Sequence, residues 1–147
     1  MDFDRADAIN QAIRLLSLRH RARVAARLAP LGLAPGQEAV LLELARNGPM
    51  IQAKLSEALR VEPPSVTLMT RKLESAGHVR RLPAPGDKRA SVVELTDSGR
   101  ALVARIRDLW RDLAEETVAG LPDRTVADLP ALLVRLAENV DTAGGGD

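Results

Sequence analysis

The 147 residues, 46% apolar and 28% charged, suffice for one domain with a real core and are too apolar for a disordered chain. The absence of Cys excludes disulfides, thiolate nucleophiles and thiol redox switches. A formal net charge of +1 hides an asymmetry: residues 1–34 and 51–96 each balance to +3 and residues 97–147 to −4, so the basic middle suits an anionic partner.

No apolar run approaches the length that crosses a bilayer, and the start, MDFDRADAIN, lacks the apolar centre of a signal peptide. The expectation is a soluble, cytoplasmic protein with no membrane partner.

In chain order, Ile9, Ile13, Leu16, Val24 and Leu28 keep a helical period through residues 5–29. Pro30, Gly32 and Pro35 mark the exit. A second helix is predicted over 35–47, with Pro35 in its first turn. A short third helix fits 52–59. A fourth begins at Pro63 or Pro64 and stops at Gly77, a suitable residue just past a helix end. Its inner set is Val66, Met69, Leu73 and Ala76. Its outer set is Ser65, Thr67, Leu68, Arg71 and Lys72.

Two short apolar runs, 78–82 and 92–95, flank Pro85-Gly86-Asp87 and read as a β-hairpin. Its tip carries Asp87, Lys88 and Arg89. A long helix follows over 97–119, with Leu102, Ile106, Leu109 and Leu113 as its stripe and Thr96 or Asp97 as its cap. A last helix runs from Asp123 to about Asn139, with Pro130 inside it. Residues 141–147 are expected to be a disordered tail.

Two short helices joined by a tight turn at 52–76 form a helix-turn-helix candidate, whose second helix enters the DNA major groove. Such patterns also arise in ordinary amphipathic helices. The hairpin directly after them favours a winged domain, its tip reaching the minor groove, where Arg is attracted. Asp87 is expected to pair with the Arg89 guanidinium and aim it. Arg80, Arg81 and Lys88 are expected to meet phosphates.

The segment Leu73-Glu74-Ser75-Ala76-Gly77-His78-Val79-Arg80-Arg81 resembles the LE-x-x-G-x-V-x-R pattern of MarR-type winged-helix regulators. Asp87-Lys88-Arg89, five residues, then Leu95-Thr96 and Gly99, is similar to that family's wing signature. Leu33-Ala34-Pro35-Gly36-Gln37 through Val40-Leu41 resembles its second-helix opening. The resemblance implies a mainly α fold with a small β-hairpin. It implies a helical dimerisation region of residues 1–34 and 97–140 around a winged helix-turn-helix domain of residues 35–96. The implied partners are double-stranded palindromic DNA, a second copy of the chain, and a small, often aromatic, anionic effector that releases DNA from a repressor. For that effector, His20 and Trp110 are the candidate contacts; His20 reads equally as a dimer-interface residue, and Trp110, at helical spacing, reads first as core.

The chain departs from the pattern at Ala34 and at Met50-Ile51, where capping residues are usual. It departs again at Leu68, where a polar residue is frequent, and at Arg71, where an acidic one is common. Two distant histidines, no Cys and no nucleophile or phosphate-loop motif exclude an obvious enzyme, metal site or cofactor. The other class of reading is a winged module for protein contacts, using the Arg-rich first helix.

Overall fold

The computed structural model describes residues 1–143, with side chains through Asp141. The chain divides into two compact units, residues 1–110 and the segment from Arg111 onward.

The first unit opens with α1 (Phe3–Leu28), capped by Asp2, whose Oδ1 accepts the Arg5 N–H at 2.8 Å. Its C-terminal Val24 and Leu28 are buried, while Ile9, Ile13, Leu16 and Leu18 are exposed. One 3₁₀ turn (Ala29–Leu31) leads to α2 (Gln37–Asn47). This helix starts two residues later than expected, so Pro35 precedes it. Ala34 offers no side-chain cap; its N–H donates to Gln37 Oε1 at 2.9 Å, which ties the approach to the first residue of the helix. Val40, Leu41 and Leu44 of α2 are buried in the core with Leu55, Val66, Leu73 and Val93.

Strand β1 (Met50–Ile51) was not expected from the sequence; two residues are too few to show a period. It runs directly into α3 (Gln52–Leu59), and α4 (Pro63–Ser75) follows a turn at residues 60–62. Ser56 closes that turn twice, accepting the Val61 N–H at 3.2 Å and donating to the Val61 carbonyl at 2.5 Å.

Strands β2 (Val79–Ala84) and β3 (Asp87–Leu95) form the hairpin. The antiparallel order is β1-β3-β2, so Pro83, which has no N–H for a ladder, lies on an edge strand. Gly86 at φ 77° takes the left-handed turn position that its lack of Cβ permits.

α5 (Asp97–Thr117) starts in the first unit, with Leu102, Val103 and Ile106 buried. Thr96 is its cap, accepting the Gly99 N–H at 3.1 Å. In the second unit, α6 (Asp123–Ala143) continues through Pro130 and past Asn139. Its Leu132, Leu133, Val134 and Leu136 are exposed. The expected tail otherwise lies outside the described residues.

Candidate nucleic-acid interface

α4 and the hairpin carry the residues singled out for DNA. Pro63 and Pro64 open α4, where their missing N–H groups cost nothing. Its buried side is Val66, Thr70 and Leu73, not the expected set. Ala76 is exposed because the helix has ended there, and Met69 is half-buried. Thr70 is fully buried because its hydroxyl donates to the Val66 carbonyl at 2.7 Å, which removes the desolvation penalty.

On the opposite side, Ser65, Leu68, Arg71 and Lys72 are exposed at i, i+3, i+6 and i+7. Leu68 is 55% exposed, an apolar side chain on an otherwise polar face. Thr67 does not share that freedom. It is half-buried, donates to the Pro63 carbonyl at 3.0 Å and accepts from Gln52 Nε2 at 2.7 Å, so it joins α3 to α4.

The hairpin register sorts its cations. Paired residues lie on one face of a sheet. Arg81 is opposite Val93, on the core face; Arg80 is opposite Glu94. Arg80 pairs with Glu94 at 3.1 Å. Arg81 makes a two-point contact with Glu74 of α4, Nε to Oε2 at 3.1 Å and Nη2 to Oε1 at 3.0 Å. Hydrogen bonding to Arg81, opposed by some desolvation, holds the Glu74 carboxyl below its usual range. The same hydrogen bonds raise the Arg81 guanidinium further. The expected open phosphate contact at Arg81 is therefore not what this arrangement offers; its fork is occupied.

At the tip, pairing jumps from Pro83↔Ser91 to Ala84↔Asp87. Residues 88–90 bulge between these pairs, and Lys88 and Arg89 are exposed on the bulge. Asp87 Oδ1 accepts the Arg89 backbone N–H at 2.9 Å. Among the described residues no ion pair joins Asp87 to the Arg89 guanidinium. The carboxylate shapes the turn, because an Asx side chain reaches the N–H two residues on more readily than a distant guanidinium.

The base of the hairpin is tied down. Thr96 Oγ1 donates to the Gly77 carbonyl at 2.6 Å, the Thr96 N–H donates to the His78 carbonyl at 3.1 Å, and His78 Nδ1 lies 2.9 Å from Ser98 Oγ.

His20 stands exposed on α1 and Trp110 half-buried on α5. An open cleft of 410 Å³ lies between α2, β3 and α5, lined by Leu44, Leu95 and Val103 with Glu94, Arg100 and Arg107. Arg100 is engaged by Asp97 and by the Leu95 carbonyl. The described residues hold no cluster suited to a metal ion, and no described helix is long and apolar enough to cross a membrane.

A family model described as "MarR family" matches residues 33–91. The multiple antibiotic resistance protein MarR of Escherichia coli is 33% identical over 110 residues, covering 74% of this chain and 76% of that one. The HTH-type transcriptional repressor NicR of Pseudomonas putida is 27% identical over 142 residues, covering 97% of this chain and 90% of that one. A crystal structure of a mutant MarR from E. coli complexed with operator DNA matches with a TM-score of 0.80 at 29% identity, covering 92% of this chain and 99% of that one. These relatives are regulators and not enzymes. With the sheet order, the recognition-helix candidate and the wing already in place, the chain belongs to the MarR family of winged-helix, DNA-binding transcription regulators.

Proposed function

We propose that the chain is a homodimeric cytoplasmic repressor that binds a palindromic operator and leaves it when a small anion binds. The observation that carries the DNA reading is an exposed, largely polar helix face together with an exposed wing tip. Ser65, Leu68, Arg71 and Lys72 present an exposed helix face, and Lys88 and Arg89 stand free of the ladder on the neighbouring wing. On this reading the face of α4 meets base edges in the major groove, and Arg89 enters the adjacent minor groove. Arg80, exposed but paired across the strands, supports the phosphates beside it.

Dimerisation is supported by the apolar side chains of α1 and α6. Ile9, Ile13, Leu16 and Leu18 are 42–58% exposed, and Leu132, Leu133, Val134 and Leu136 are 42–56% exposed. Stripes of this kind mark association surfaces. For the effector, the cleft of Arg100 and Arg107, which the Glu94 carboxylate also lines, offers cations beside an apolar wall and stands as a further candidate anchor next to His20 and Trp110.

The test is a titration of the chain on DNA from upstream of its own gene and on random duplex, at two salt concentrations, with and without aromatic acids. Sequence-specific, salt-steep binding by a sedimenting dimer is expected. Weak, sequence-blind binding would favour a protein-contact module, with the Arg-rich α1 as its surface.

A further inference from the structure

We propose that Arg81 and Glu74 together set the angle between the wing and the recognition helix, and that Arg81 acts on DNA through Glu74 and not by touching a phosphate. The inference rests on the reading of α4 and the wing as the DNA-contacting elements.

Three observations carry it. The contact is two-pointed, with both Glu74 oxygens and two guanidinium nitrogens engaged. A bidentate arginine–carboxylate pair fixes direction as well as distance. The Arg81 side chain is only 29% exposed, on the core face of β2 opposite the fully buried Val93. And the pair joins different elements, a helix and a strand. The other wing ion pair, Arg80–Glu94, lies within the sheet and cannot fix its tilt.

The remaining ties between α4 and the hairpin sit at its root, at Gly77, His78 and Thr96. Held at the root and by the pairing of β1 with Val92 and Val93, the hairpin could still tilt against α4 about that line. Arg81 holds it three residues further out. From Arg81 to the turn at residues 85–86 is about 15 Å at the usual strand rise. A pivot of about 10° would move the tip by nearly 3 Å over that arm, far outside the tolerance of a hydrogen bond. Loss of the pair would therefore misplace Arg89 while removing none of the exposed DNA-facing cations.

The charge bookkeeping gives a test with opposite signs. Glu74→Gln removes an anion near DNA and frees Arg81. Phosphate electrostatics predicts tighter binding; a positioning role predicts weaker binding to a specific site alone. Arg81→Lys keeps the charge but cannot span both oxygens. The full-length chain would first select a duplex from a randomised pool. Wild type, Glu74→Gln and Arg81→Lys would then be titrated on the selected duplex and on a random duplex, at about 50 and 200 mM salt. Both variants should bind the selected duplex about tenfold more weakly, bind random duplex unchanged and keep the wild-type salt slope. Equal or tighter binding of the selected duplex by either variant overturns the inference. A wild-type chain that enriches no sequence overturns both the inference and the reading beneath it.

Discussion

Asp87 Oδ1 accepts the backbone N–H of Arg89 at 2.9 Å, so the wing carboxylate shapes the chain from which the arginine projects. The bond needs an acceptor, not a charge. Asp87→Ala should therefore weaken operator binding by about 1 kcal/mol, roughly fivefold, although it removes an anion. Asp87→Asn keeps an acceptor and should bind at least as tightly as wild type. Fluorescence titration of both on operator DNA checks this. Tighter binding by the Ala variant would leave the carboxylate only an electrostatic role.

Gly99 sits in the first turn of α5 with a closed neighbourhood. A Cβ there would lie 2.1 Å from the His78 carbonyl oxygen and 3.2 Å from Leu95 Cδ2. Gly to Ala in an open helix gains about 1 kcal/mol. Here the new methyl would press on the His78 backbone carbonyl, and that overpacking reverses the sign, at about 2 kcal/mol. Gly99→Ala should lower the Tm of the full chain, and thermal unfolding measures it.

Leu68 offers methyl groups where the sequence pattern usually offers a polar group, and it is exposed. The apolar feature of the major groove is the thymine methyl. Burying one methyl is worth about 0.8 kcal/mol, close to fourfold per half-site. Replacing the contacted thymine by uracil should weaken wild-type binding by that factor and leave Leu68→Ala indifferent. A uracil effect that persists in the variant would place the methyl against another residue.

The winged domain was legible where sequence carries periodicity and punctuation. The limits of α3 follow from its Leu spacing, and α4 from two prolines and Gly77. The hairpin followed from Pro85-Gly86 between two short apolar runs. What escaped was set by tertiary pairing. β1 exists only because Met50 and Ile51 meet Val93 and Val92. Thr70 reads as polar but is buried through its own backbone bond. The strand register decides that Arg81 faces Glu74 while the adjacent Arg80 faces Glu94. Two neighbouring arginines look alike until the pleat assigns their faces.

Glu38 and Glu74 should give opposite pH signatures. Burial raises the Glu38 carboxyl above its ordinary 4.5, although the N–H groups of Glu38, Gly36 and Ala39 oppose it. A raised folded value means the fold favours the neutral acid, so Glu38 costs stability as pH rises through the window above 4.5. Glu74, lowered by Arg81, adds stability above 4.5 that is lost as pH falls through its folded value. Urea unfolding from pH 3 to 7 should show Glu38→Gln gaining on wild type as pH rises past 4.5. Glu74→Gln should lose ground over the range below it. A pH-independent difference for either would contradict its assignment.

The Thr96 hydroxyl serves two helices at once, donating to the Gly77 carbonyl beyond α4 and accepting the Gly99 N–H inside α5. Neither helix end can fray without stripping a bond from the other. Segments joined this way open as one cooperative unit. Amide protons at the hairpin root should then exchange with solvent at the slow pace of the helices, although an isolated two-stranded hairpin is marginal in water. The bulge at residues 88–90 has no ladder partners and escapes that protection. The wing is thus graded along its length, a stiff stem inherited from two helices and a tip whose exchange is governed by its own few bonds.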